Sequence, residues 1–422
     1  MDGLLYGVEL LMCFCLVSCT SDCVSQTNCV SCTAFKCAWC PVEIACHGRE
    51  WTDANSCQTR EAITGTAFCF DKTLGAYNPN SAFINTLLSA VAYASNPESC
   101  INRILPNSGF ELVEAVGRKC DQLTIFNYAE CFAYTAVSDA LKLIVVVFKG
   151  TDGGWKQLWD EIVTTSFRPH TPFLAGGNVH VYFNNVFNLF YTCVKASVRD
   201  LVNSTTDYNI LVTGHSLGGA LASLTAAALV HDGILESDKL SLYTLGMPRV
   251  GDTEYADIHD RLVGNNWRVV NYLDIVAHLP PCNLVLGKEC ADSSSHQHHS
   301  KEVFYKGTSM TVNSMFTVCE TREDPNCSNS IIGKCWPHFP TCIGYHTEYF
   351  QIQVGSYCDS SKSGKRSTET RSRFWSELEG DKCKRMPFDR VKRAMSNSST
   401  LYFSREILSM FLGLLYMFVY NF

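Results

Sequence analysis

Gly214-His215-Ser216-Leu217-Gly218-Gly219 lies between two segments of opposite character. Before it, Asn209 to Thr213 carries the apolar run Ile210-Leu211-Val212. After it, Gly219 to Val230 is rich in Ala and Leu, both strong helix formers. A strand that turns into a helix within so few residues forces its central residue into an unusual backbone conformation. Glycines two before and two after that residue remove the side chains that would collide. The pattern is Gly-x-Ser-x-Gly, which lifts a serine hydroxyl clear of a sheet, above the first turn of a helix. A capping serine at a glycine-rich helix start is the competing explanation. The flanking strand and helix favour the nucleophile turn.

Further segments extend the alternation. Leu143 to Phe148 is a continuous Val-rich run, as in a strand buried on both faces. Leu240 to Leu245 and Trp267 to Asn271 read as further strands, and Ala82 to Ala94 has an amphipathic helical pattern. Strands alternating with helices predict an α/β fold with a mostly parallel central sheet.

Composition narrows the setting. The 422 residues are 46% hydrophobic and 18% charged, which excludes an intrinsically disordered chain. Long apolar runs occur only at the two ends, which excludes a polytopic membrane protein. A net charge of −7 supplies no general attraction to nucleic acid. The 23 cysteines point to an oxidising compartment and to disulfides. Residues 1–20, with the apolar core Leu10 to Val17 and the small residues Ser18, Cys19 and Thr20, read as a signal peptide, although Asp2 stands where Lys or Arg is usual. Cleavage there would remove Cys13, Cys15 and Cys19 and leave an even number to pair. Residues 401–422 end in an apolar run from Ile407, preceded by the small residues Ser396 to Ser399. This order predicts a glycosylphosphatidylinositol (GPI) attachment signal, with a short tail anchor as the alternative. Arg390-Val391-Lys392-Arg393 resembles a proprotein-convertase site that would release the protein. The predicted setting is extracellular, secreted or held at the cell surface. Sequons at Asn203, Asn326 and Asn397 fit that route.

Residues 21–70 hold eight cysteines, too many for a domain organised around an apolar core. The spacing Cys29-x2-Cys32-x4-Cys37-x2-Cys40, with Trp39 before the last, resembles the plexin-semaphorin-integrin module. Zinc binding by the paired cysteines competes, but secretion favours disulfides. Such a module spaces or orients a neighbour; no chemistry and no particular protein partner is assigned to it. Residues 71–357 carry the α/β pattern, and residues 358–400 read as a polar, basic, solvated tail.

A serine hydroxyl needs a base, and in α/β hydrolases the order along the chain is Ser, Asp, His. Asp274 follows a predicted strand, where such sheets carry their sites; Asp252 and Asp257 are weaker rivals in loop or helix sequence. The residues alone leave the histidine open among His278, His296, His298, His299, His338 and His346. His278 is too close to Asp274 to be delivered by an independent loop. His296, His298 and His299 could ligate a metal, but no carboxylate or cysteine follows them at a recognised zinc spacing, so no metal is assigned.

The chain from about 74 to 351 resembles the fungal-type, or class 3, triacylglycerol lipases. The resemblance rests on Tyr77 with Leu88-Ser89-Ala90, Phe148-Lys149-Gly150-Thr151, Gly214 to Ala220, Gly246-Met247-Pro248-Arg249-Val250-Gly251, Asn271 to Pro280, and Tyr345-His346-Thr347-Glu348-Tyr349. It implies an α/β-hydrolase fold, preceded here by the small disulfide-rich module. It implies Ser216 as nucleophile, Asp274 as orienting acid, His346 as base, and an oxyanion hole from Thr151 and Leu217. His298 matches a structural histidine of the family. Lys149 stands where the family usually has Arg, so a bidentate fork is lost beside Thr151. Trp155, Leu158 and Trp159 fall on one helical face at the family's lid position and would meet a lipid interface, with a plain core helix as the alternative. The implied activity is cofactor-free hydrolysis of acylglycerol esters. A phospholipase A1 or general carboxylesterase on the same scaffold, and a catalytically silent surface binding protein, are the alternatives.

Overall fold

The computed structural model describes residues 23–26, 32, 37–40, 45–48, 76–106, 108–120, 130–151, 170–282, 295–335, 339–359 and 383–385. The expected signal peptide, the lid residues Trp155, Leu158 and Trp159, the sequon at Asn397, His338 and the tail 401–422 lie outside them. Among the described residues no helix is long and apolar enough to cross a membrane.

In the cysteine-rich module, β1 (Ala38–Cys40) pairs antiparallel with β2 (Ala45–His47). Disulfides Cys23–Cys37 and Cys32–Cys46 enclose the buried Trp39, so these thiols are spent on covalent bonds and not on zinc. Cys40, itself disulfide-bonded, packs into a core cluster of the main domain.

The main domain opens with α1 (Pro79–Ala92) and α2 (Pro97–Ile104), each started by an asparagine cap followed by proline. Asn78 Oδ1 accepts the N–H groups of Asn80 and Ser81, and Asn96 Oδ1 accepts that of Ser99. The expected polar face of the first helix does not exist: α1 is buried almost all round, with the sheet on one side and the chain near Tyr349 to Val354 on the other. There follow β3 (Phe110–Lys119), β4 (Glu130–Ser138), β5 (Leu143–Phe148), the hairpin β6 (His170–Pro172) and β7 (Asn178–His180), and α3 (Val181–Ser204). Next come β8 (Asn209–His215), α4 (Leu217–His231), β9 (Leu240–Leu245), α5 (Thr253–Leu262) and β10 (Asn266–Asn271). The chain then runs through β11 (Glu302–Tyr305), β12 (Thr317–Cys319), α6 (Phe339–Thr347), β13 (Glu348–Tyr349), β14 (Ile352–Gln353) and β15 (Lys384–Arg385).

One sheet runs in the order β12-β11-β10-β9-β8-β5-β4-β3-β15. Its centre, from β5 through β8, β9 and β10 to β11, is parallel, and antiparallel pairs close both flanks. Alternate residues of each strand enter opposite cores, as the pleat requires. Ile144, Val146 and Phe148 face α3 and α4, whereas Val145 and Val147 face α1 and α2. Helix layers on both faces explain why the strand sequences are apolar without alternation. Helix α4 lies in the core on every side, which accounts for its Ala-rich sequence.

The stretch read as a free polar tail is corrected at one place. Cys383 is bonded to Cys193 of α3, and β15 extends the sheet edge beside β3, so this piece belongs to the main domain. Cys358, just past the expected boundary at 357, is bonded to Cys100 of α2. These two bridges close loops of 190 and 258 residues, and in the chain-entropy account each constrains the unfolded state by a few kcal/mol.

Candidate active site

Ser216 sits between β8 and α4 with φ 60° and ψ −130°, a region a non-glycine residue seldom occupies. The glycines around it are set by contact. A Cβ on Gly214 would lie 2.2 Å from the Gly218 carbonyl oxygen, and one on Gly218 would lie 2.2 Å from that of Phe148. Strand, turn, helix and the end of β5 therefore pack with no room for a methyl group. Ser216 N–H donates to Leu245 O at 2.9 Å, which ties the turn to β9. Leu217 opens α4, so its N–H is one of those a helix start leaves outside the helical ladder. Thr151 follows Gly150, where a Cβ would come 2.5 Å from His215 O and 3.1 Å from Ser216 Cβ. The chain at the end of β5 is thus pressed against the serine turn, with Thr151 half-buried beside it.

Asp274 lies just beyond β10 and is fully buried. His346, near the end of α6, places Nδ1 at 2.9 and 3.0 Å from its two carboxylate oxygens. Oδ2 also accepts the Tyr349 hydroxyl at 2.6 Å, and Oδ1 accepts the Val276 N–H at 2.9 Å. Burial pushes the Asp274 carboxyl up, but the charge and hydrogen bond of His346, with help from Tyr349, outweigh it and keep the group below the usual carboxylate value. The pair is held tightly: a Cβ on Gly246 would stand 2.4 Å from Asp274 Oδ2 and 2.9 Å from His346 Nδ1. Asn271 Nδ2 donates to the carbonyls of Tyr345 and Glu348, on either side of His346, and the Cys335–Cys342 bridge fastens α6 from its other end.

The other expectations sort by what they touch. Asp252 caps α5 through the Tyr255 N–H, and Asp257 pairs with Arg322. His278 bonds Asn329, and His298 Nε2 donates to Ala277 O. His296 lies against His170 and His180, while His299 stacks on His259. Of the described histidines after Asp274, His346 is the one on its carboxylate. Lys149 is buried with Nζ 6.0 Å from the Tyr93 ring centre. Asn203 and Asn326 are exposed.

Two neighbours, His215 and Tyr93, went unread in the sequence. His215, between Gly214 and the serine, stacks on His346 at 4.6 Å. Its Nε2–H donates to His346 O at 2.7 Å, which leaves Nδ1 to accept the Tyr93 hydroxyl at 3.0 Å. Burial, and next the proximity of His346, bring His215 down to about 3, so it stays neutral. Ser216 Oγ and His346 Nε2 are both buried and have no hydrogen-bond partner among the described residues. Buried polar atoms left unsatisfied are uncommon and call for an explanation, of which a catalytic role is one.

The sequence pattern described as Lipase (class 3) matches residues 145–284. A lipase of Caenorhabditis elegans is 32% identical over 327 residues, covering 70% of this chain and 89% of that protein. The chain belongs to the class 3 lipase family. A lipase of Rhizomucor miehei is 34% identical over 228 residues, but these cover 53% of this chain and only 56% of that one. Among solved structures, a triacylglycerol lipase whose catalytic centre is described as a serine protease triad superposes with a TM-score of 0.53 at 26% identity, over 66% of this chain and 96% of its own. The matched pattern, residues 145–284, lies within the α/β domain.

Proposed function

We propose that this chain is an extracellular lipase that hydrolyses acylglycerol esters through an acyl-enzyme on Ser216. The observation that carries the reading is the buried Asp274–His346 pair at the carboxyl end of the parallel strands. With it go two unsatisfied buried atoms, His346 Nε2 and the Oγ of Ser216 in its strained turn. Asp274 holds the proton of His346 on Nδ1 and so leaves Nε2 as the base. His346 takes the Ser216 proton as Oγ bonds to the ester carbon. The resulting oxyanion is met by the Leu217 N–H and by Thr151. Collapse expels the alcohol, protonated by His346. Water activated by the same imidazole then releases the fatty acid and restores the hydroxyl. Losing one oxyanion donor costs about 3–4 kcal/mol, roughly a hundred- to a thousandfold in rate.

The relatives' own descriptions as triacylglycerol and as mono- and diacylglycerol lipases support acylglycerols as the substrate class. Seven disulfides among the described residues support passage through an oxidising route. Membrane contact would come from Trp155, Leu158 and Trp159 as a lid and from residues 401–422 as a GPI signal. Release from cells by a phosphatidylinositol-specific phospholipase tests the second, and retention on cells after treatment refutes it. The deciding assay compares tri-, di- and monoacylglycerol with phosphatidylcholine, using the Ser216→Ala protein as control. The expected result is acylglycerol cleavage above phosphatidylcholine cleavage, abolished by the substitution. Folded wild-type protein that cleaves no ester would refute it.

A further inference from the structure

At the opposite end of β10 from Asp274 lies a second cluster of titratable groups that the ester chemistry does not use. His259 on α5 is fully buried, and neither of its ring nitrogens has a hydrogen-bond partner among the described residues. Its ring stacks on that of His299, 3.8 Å away and 12° from parallel. The polarity of His299 is set by its neighbours. Nδ1 faces Asn266 Oδ1 at 3.1 Å and Ser300 O at 3.3 Å, both acceptors, so Nδ1 carries the proton. Asn266 cannot be turned round, because its Nδ2 donates to Val263 O. Nε2 of His299 is therefore a bare lone pair, buried and unpartnered. Asp260 completes the group: its Oδ1 accepts the N–H and hydroxyl of Ser300, and its side chain is 22% exposed. One ligand atom from each of His259, Asp260 and His299 lies within 4.8 Å of the others.

We propose that His259, Asp260 and His299 form a binding site for a borderline divalent cation of the zinc type, which clamps α5 to the chain entering β11. Two imidazoles and one carboxylate match zinc, leaving one position to water. The His299 Nδ1–H on an amide oxygen and the Ser300 bonds to Asp260 are the outer contacts that orient such ligands. Binding in the plane of both lone pairs requires the stacked rings to splay. His259, though fully buried, has no hydrogen bond to break. The positive charge of Arg268 and Arg322 is answered by Glu302, Asp257 and Asp260. Because Asp274 and Ser216 lie at the other end of the strands, the ion serves stability and takes no part in ester cleavage.

The test uses the purified full chain, stripped with a chelator and titrated with Co²⁺ and Zn²⁺ alone. The expected result is a visible ligand-field absorption of low-coordinate Co²⁺, displaced by Zn²⁺, and a rise in Tm with Zn²⁺ that saturates, with ester turnover unchanged. His259→Phe keeps the ring stack and should abolish the absorption while turnover persists. If that protein does not fold, Asp260→Asn, at a position only 22% exposed, should weaken Co²⁺ binding by at least about tenfold. No absorption and no Tm rise in folded wild type would overturn the proposal. So would an absorption that survives His259→Phe, or one that Asp260→Asn leaves unchanged.

Discussion

Asp274→Asn isolates the orienting acid from the packing around it. The side chains are nearly the same size, and the site has little room for rearrangement, since a single methyl group on Gly246 would already stand 2.4 Å from the carboxylate. The amide can enter in one orientation only. Oδ1 must remain an oxygen, because it accepts the Val276 N–H at 2.9 Å. The new NH₂ therefore takes the place of Oδ2, where it meets the Tyr349 oxygen, which can accept, and His346 Nδ1. Nδ1 then meets an NH₂ at the Oδ2 site and keeps only the neutral Oδ1, shared with the Val276 N–H, so the carboxylate charge that held its proton and would stabilise the imidazolium is gone. The imidazole is then a much poorer acceptor for the proton of Ser216. In a serine triad the equivalent change lowers kcat about 10⁴-fold, about 5.5 kcal/mol of barrier. The assay is kcat on a soluble p-nitrophenyl ester, with circular dichroism to show an unchanged fold. A loss of less than about tenfold in kcat, in a folded protein, would refute the reasoning that Asp274 sets the tautomer of His346.

Three other outcomes follow from buried groups. His215 is held to about 3 and His278 to about 4, both by burial first, against an unfolded value of 6.5. The unfolded chain binds the extra protons, so their contribution is complete above pH 6.5 and is lost as pH falls toward 4. The upper bound is about 1.4 kcal/mol per pH unit for each histidine, and a denaturation midpoint that stays flat from pH 6.5 to 5 would contradict this. Arg249 and Glu323 form a bidentate pair, with side chains 3% and 8% exposed. Glu323→Gln should cost about 3–5 kcal/mol in urea unfolding, and Arg249→Met combined with Glu323→Leu should not restore it, because the His278 and Pro280 carbonyls and the His298 N–H would lose their partners. Tyr349→Phe removes the hydroxyl from Asp274 and should cost about 1.5–3 kcal/mol of stability, with kcat lowered and KM little changed.

The sheet was legible because its central strands are short, apolar and covered on both faces. The bounds read for Leu143 to Phe148 and Leu240 to Leu245 are those observed. The serine turn was legible because backbone geometry dictates glycine at fixed offsets, and Asp274 because it follows a strand. His346 could not be chosen from the residues alone. Its contact with Asp274 spans 72 positions and depends on α6, which the Cys335–Cys342 bridge and Asn271 hold in place. His215 reaches Tyr93 across 122 positions, with no local pattern to announce it. The sequence after His299 offers no metal partner at a recognised spacing. The groups it meets, His259 and Asp260, come from a helix some forty residues earlier. The tail misled for a similar reason: its basic composition describes a solvated segment, and only the Cys193–Cys383 bond returns part of it to the sheet edge.

The central claim is that the hydroxyl at 216 becomes acylated with His346 as its base. A fluorophosphonate probe followed by peptide mass spectrometry measures this directly. The account predicts one label per folded chain, on Ser216, absent from Ser216→Ala and strongly slowed in His346→Ala. Folded wild-type protein that takes no label, or a label that persists in Ser216→Ala, would contradict it.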